Sequence, residues 1–251
     1  MIIAQISDTH ILAKSSDDAN AATRAESLRR CVADINRQGA DAVIHTGDSV
    51  HHGTAHEYAH LCEILAELKA PLFLTPGNRD RHNGIREAFE NLPYLPRSSD
   101  FLHYAIEDYP VRFVALDSVS AGERKGVFCG ERRAWLEETL ARRPDHPTIL
   151  FIHHPPFDVG DHYVGGYRHM QDAEELAAVV RRHPQVERLL CGHVHRLHRE
   201  SWAGTTATIM PSVAIDLRKD VDAALAGTPL YVLHNWTREG GLRSQMQAVT
   251  Q

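Results

Sequence analysis

The segment Ile2-Ile3-Ala4-Gln5-Ile6-Ser7-Asp8-Thr9-His10 sets out the unit from which the chain is built. Residues 2–7 are an apolar run of strand length that ends on a turn carrying a carboxylate and an imidazole. The same construction recurs twice further along the chain. Residues 42–46 feed Gly47-Asp48, and Pro71 opens the run 72–75, which feeds Gly77-Asn78. Helical patterns lie between. Leu28, Cys31, Val32 and Ile35 recur on one helix face with Gly39 as a natural stop, and Tyr58, Leu61, Leu65 and Leu68 mark a second amphipathic helix. The order βαβαβ predicts parallel strands with crossover helices. In such sheets reactive groups gather beyond the carboxyl ends of the strands, where Asp8, His10, Asp48 and Asn78 all fall.

The second half continues the pattern. Runs 101–106 and 111–116 read as strands joined by the turn Glu107-Asp108-Tyr109-Pro110, and Trp135, Leu136 and Leu140 belong to a helix. A buried strand at 148–152 ends on His153-His154-Pro155. Another at 186–191 ends on Gly192-His193-Val194-His195, and 206–209 and 230–236 look like further strands. Residues 158–169, rich in Gly and Tyr, form the one long candidate active-site loop.

Five turns thus supply oxygen or imidazole donors. Singly, each has a plainer reading: Asp8 and Asp48 would make good helix N-caps, and a lone His at a strand end is usually structural. Jointly they read as one two-metal site. Carboxylate, amide and imidazole groups suit borderline cations such as Zn, Mn, Fe and Co, and the absence of thiolates argues against a structural zinc. Two divalent ions bring four positive charges, and Asp8 and Asp48 remove two. The remainder balances a hydroxide plus a singly charged phosphodiester, and such a pair lowers the pKa of a bound water towards ~7.

The order and residue types of these segments resemble the calcineurin-like metallophosphoesterase superfamily, from Asp8 to His195 and only loosely past about Arg199. The resemblance implies an α/β fold, a four-layer αββα sandwich of two mixed β-sheets. It implies two divalent or trivalent metal ions. Asp8, His10, Asp48 and His195 would hold one, and Asp48 would bridge to a second held with Asn78, His153 and His193. The family pattern His-x-Pro selects His153 as ligand, and strand alternation turns His154 to the other face.

Departures narrow the substrate. Gly47-Asp48-Ser49-Val50-His51-His52-Gly53 lacks the Asp-Arg-Gly of the superfamily's protein phosphatases, and the chain leaves no room for the capping domains of its nucleases. Its compact length, His153-His154-Pro155-Pro156 and the Gly-His-Val-His segment resemble bacterial class III cyclic nucleotide phosphodiesterases and glycerophosphodiesterases. The expected activity is hydrolysis of a small phosphodiester, with Asp48, Asn78 and Arg79 as catalytic residues. Phosphomonoesterase or nuclease action is the alternative on the same site. Arg79 stands where relatives carry a His, and reads as a guanidinium clamp on phosphoryl oxygens. Tyr163 and His169, with Tyr167 and Arg168, are expected to wall the substrate pocket.

Because the expected ligands span positions 8 to 195, the 251 residues read as one domain, a catalytic core of about 1–200 followed by C-terminal strands at about 201–251. By resemblance, residues beyond about Ala203 would contribute to a homo-oligomer. The net charge of −6 offers no basic field for a nucleic acid polymer. Cys31, Cys62, Cys129 and Cys191 form no Cys-x-x-Cys pair and suggest a reducing compartment. No segment approaches a membrane span and no leader-like stretch precedes Ile2, so the chain reads as cytoplasmic.

Overall fold

The N-terminal run forms β1 (Ile2–Ile6) in the computed structural model, which describes residues 1–159 and 166–250. The βαβαβ order follows as α1 (Ala21–Gln38), β2 (Ala42–His45), α2 (Ala55–Leu65) and β3 (Leu72–Leu74). The strands β1, β2 and β3 are parallel neighbours. Gly39 closes α1 in the left-handed region at φ 65°, a conformation glycine adopts without Cβ strain. Thr54 caps α2 and Glu57 returns the bond, a reciprocal capping box.

Next come α3 (His82–Ala88), β4 (Tyr104–Ile106), β5 (Arg112–Leu116), α4 (Gly130–Ala141), β6 (Thr148–Ile152), α5 (Met170–Arg181) and β7 (Val186–Cys191). The chain ends with β8 (His198–Trp202), β9 (Thr205–Ile209), β10 (Leu230–Thr237) and β11 (Gly241–Ala248). One sheet has the order β11-β10-β1-β2-β3 and the other β4-β5-β6-β7-β9-β8. Both are mixed: β10 runs antiparallel to β1, and β4 and β8 run antiparallel to their neighbours.

Alternation along the central strands explains the layering. Phe113, Ala115, Ile149 and Phe151 join a core with the first sheet, α1 and α2. Val114, Leu116, Leu150 and Ile152 face the other way and pack on Leu136 and Leu140 of α4 and Leu176 and Val180 of α5. A strand buried on both faces reads as a continuous apolar run, as 148–152 does. The result is a four-layer αββα sandwich. The C-terminal strands are built into it, since β10 pairs with β1 along Ile2–Gln5 and β9 extends the second sheet beside β7. Among the described residues no helix is long and apolar enough to cross a membrane.

Candidate metal centre

The turns beyond β1, β2, β6 and β7 are tied to one another. Asp8 N–H donates to Gly47 O at 2.9 Å, His10 N–H to Asp48 O at 3.0 Å, and Gly192 N–H to His153 O at 3.1 Å. Asp8, His10, Asp48, His193 and His195 all have positive φ, between 43° and 72°. Non-glycine residues rarely adopt that region, and such strain persists only where surrounding contacts over-determine it. Two glycines permit the close approach. A Cβ on Gly77 would lie 2.1 Å from Asp48 N, and one on Gly192 would lie 2.1 Å from Ser7 Oγ and 2.6 Å from Asp8 Oδ2.

Two donor sets result. In the first, His195 Nε2 is 3.2 Å from Asp8 Oδ1 and 3.3 Å from His10 Nε2, and His10 Nε2 is 3.6 Å from Asp48 Oδ2. In the second, His153 Nε2 is 3.5 Å from Asp48 Oδ1, 3.3 Å from Asn78 Oδ1 and 3.2 Å from His193 Nδ1. Ligands ~2.0–2.2 Å from a common ion sit about 3.0–3.6 Å from one another, so both sets have the spacing of a coordination shell. Asp48 presents one oxygen to each set. The donors therefore fit two metal ions, with Asp48 between them.

Backbone carbonyls orient the rings. His153 Nδ1 meets Thr46 O at 2.8 Å and His195 Nδ1 meets Leu217 O at 3.0 Å, which in the neutral ring leaves the Nε2 lone pair for the centre. Electrostatics divide the imidazoles into two pairs. Burial opposes charge on His153, but the Asp48 carboxylate, together with Asp8 and the Thr46 carbonyl, outweighs it and raises the ring to about 9. Burial likewise opposes charge on His195, which Asp8 raises. His10 is lowered to about 4 and His193 to about 3, burial being the main cause in each. Asp8 is lowered to about 2, because His195 overcomes the effect of its burial.

His154 is close to His193, with ring centroids 4.5 Å apart, and forms a cluster with it and His153. Its two ring nitrogens, however, meet Ser118 Oγ at 2.8 Å and Arg124 O at 3.1 Å. That pairing suits a buried structural imidazole.

A groove of about 700 Å³ adjoins Asn78 and is walled by His51, His52, Arg79 and His82. Arg79 also donates its backbone N–H to Asp48 Oδ1 at 2.7 Å. His169 is the N-cap residue of α5, exposed, and is not among the described residues that wall this groove. Tyr163 lies outside the described residues.

A sequence model of the calcineurin-like phosphoesterases matches residues 1–197. This chain belongs to the calcineurin-like phosphoesterase family. It is 37% identical over 249 residues to a probable glycerophosphodiester phosphodiesterase of Arcobacter nitrofigilis, covering 96% of this chain and 91% of that protein. It is 28% identical over 218 residues to the 3',5'-cyclic adenosine monophosphate phosphodiesterase of Escherichia coli, covering 86% and 77%. A dimetal phosphatase from Danio rerio shares the fold at a TM-score of 0.75 and 15% identity, over 100% of this chain and 99% of that one.

Around the family's dinuclear centre stand residues whose support has no signature in the local sequence. The buried Arg24 guanidinium donates to Asp216 at 3.0 and 2.6 Å and to His10 O at 3.2 Å. Asp216 and Leu217 thus brace His10 and His195 from beyond the segment that the family model matches. His45 bridges Thr9 Oγ1, at 3.1 Å, and the Gly47 N–H, at 3.2 Å. Asp80 accepts from the backbone of Ser49 and Gly77 at 3.1 and 2.9 Å and from the Ser49 hydroxyl, joining the Asp48 turn to the Asn78 turn. The sequence signals were a carboxylate two residues after Asn78 and a His two before Gly47, neither distinctive alone.

Proposed function

We propose that this chain is a metal-dependent phosphodiesterase acting on small phosphodiesters of the glycerophosphodiester or cyclic nucleotide type. The observation that carries the reading is Asp48, whose two oxygens face two separate donor sets 3.5 and 3.6 Å away. The activities named for the two sequence relatives support it. Asp8, His10, Asp48 and His195 would hold one ion, and Asp48, Asn78, His153 and His193 the other. Borderline ions such as Mn, Fe, Zn or Co suit these donors. Bound there, two such ions would supply Lewis acidity towards the phosphoryl oxygens and a lowered pKa for an attacking water.

The chain's own groups do the rest. Arg79 is set beside Asn78 to neutralise charge on the non-bridging oxygens. When water adds to phosphorus and the ester P–O bond breaks, the departing alkoxide needs a proton. Arg79 cannot give one, since its guanidinium stays charged. His82, in the same groove and hydrogen-bonded to the buried Asp117, is the group suited to give it. The four cysteines are free thiols, which supports a reducing, cytoplasmic setting.

Metal analysis combined with rates on a panel of diesters, monoesters and cyclic nucleotides tests the reading. Two ions per chain and a preference for monoanionic diesters are expected. Preference for dianionic monoesters would favour a phosphomonoesterase instead.

A further inference from the structure

A second cavity lies between the two sheets, apart from the groove at Asn78. Its volume is about 190 Å³, and β1, β7, β8, β9, β10 and β11 all contribute to its walls. Arg188 of β7 borders it and is only 6% exposed. One guanidinium nitrogen, Nη2, donates to Leu242 O at 2.8 Å. Among the described residues, Nε and Nη1 have no hydrogen-bond partner, and neither does Thr208 Oγ1 in the same wall. Buried donors without acceptors are rare in folded proteins, and an uncompensated buried charge is costly.

The charges around the cavity have one sign. Arg199 also lines it, and among the described residues no Asp or Glu does. Glu187, the carboxylate that attracts Arg188, is engaged by Trp236 Nε1 at 2.8 Å. His198 faces Glu200 at 3.3 Å, and the neighbouring His234 is satisfied by Ser244 Oγ at 2.8 Å and Gln5 Oε1 at 3.2 Å. Burial and Arg199 both disfavour charge on Arg188, so an anion between the two guanidinium groups would relieve them. The remaining wall is apolar, formed by Ile209, Met210, Val232 and Met246. Leu197 adds an apolar side chain that is 56% exposed.

From this arrangement we infer that the inter-sheet cavity is a binding site for a short-chain organic carboxylate. The carboxylate accepts from Arg188 and Thr208, and its hydrocarbon body lies against Met210, Val232 and Met246. An inorganic anion would meet the donors but leave the apolar wall uncovered.

Calorimetric titration of the metal-loaded protein with butyrate, inorganic phosphate and n-butanol tests the assignment. Saturable binding of one butyrate is expected, with butanol not detected and with phosphate binding, which the metal centre accounts for, unchanged in Arg188→Met. Arg188→Met should weaken butyrate at least tenfold, and Thr208→Val, which preserves shape, should weaken it several-fold. Thermal melting without ligand reports whether each variant is folded, and the Thr208 variant carries the test if the Arg188 variant is not. No saturable butyrate binding in the wild type would overturn the inference. So would equal butyrate affinity in the folded variants, which would place the butyrate at the metals, a phosphate affinity that falls with Arg188→Met as far as that of butyrate, or tighter binding of butanol than of butyrate.

Discussion

His82 Nε2 lies 2.6 Å from Oδ2 of Asp117, a carboxylate buried completely at the end of β5. Asp117 also accepts the backbone N–H groups of Leu102 and Val119, both at 2.9 Å, so its position is fixed. It accepts the hydrogen bond from Nε2–H and leaves Nδ1 as the nitrogen available to a group in the groove. If His82 protonates the leaving alkoxide, Asp117→Asn and His82→Gln should lower kcat ~10²-fold on diesters with alkyl leaving groups. The loss should be far smaller with p-nitrophenyl leaving groups, which depart unprotonated. Equal losses on both substrates would show that the pair only maintains the fold.

Arg79 is expected to bind rather than protonate. Arg79→Ala should raise KM for diesters, by an amount equivalent to about 2 kcal/mol. Arg79→His should make the dependence of rate on leaving-group pKa shallower, by adding a second proton donor. A slope no shallower in that variant, across a series of aryl diesters, would count against this role.

Asp80 ties the Asp48 and Asn78 turns together through Ser49 and Gly77, and Tyr58 reaches the same carboxylate with its hydroxyl at 3.3 Å. Asp80→Ala leaves several buried donors unmatched and should cost about 3 kcal/mol of stability. Metal affinity should fall as well, because Asp48 and Asn78 lose their common support. Denaturant melts and metal titrations measure the two effects, and unchanged values in both would remove Asp80 from the account.

The shifted imidazoles predict proton release on metal uptake. His153 is raised to about 9, so near pH 7 the chelator-stripped protein holds a proton on it, and His195 is shifted in the same direction by Asp8. Coordination through Nε2 requires the His153 proton to leave. Apparent affinity should therefore rise with pH from neutrality and level off above about 9, where His153 is already neutral. Calorimetry in buffers of different ionisation enthalpy counts the protons. A count of zero at pH 7 would contradict this charge pairing.

Much of the fold was legible because its central strands are buried on both faces. Residues 2–7, 42–46 and 148–152 are apolar runs with no other use, and each ends on a candidate ligand. The edge strands were not legible. His198–Trp202 and Gly241–Ala248 have exposed faces rich in polar residues, so β8 and β11 carry no apolar run to announce them. The motif residues are brought into two donor sets, but their bracing was hidden. Arg24 and Asp216 are 192 positions apart, and only the packing of α1 against the segment after β9 brings them together. Alternation, which suggested that His154 faces away from the centre, did not foresee its contact with the His193 ring.

If Asp48 is shared by both ions, metal content per chain must depend on it. Purified wild type should carry close to two ions. Asp48→Ala, with its fold verified by circular dichroism, should carry almost none, and His10→Ala should lose one ion while keeping the other at His153 and His193. Diester hydrolysis should fall with metal content. An Asp48→Ala protein that is folded and still holds two ions per chain would contradict the account.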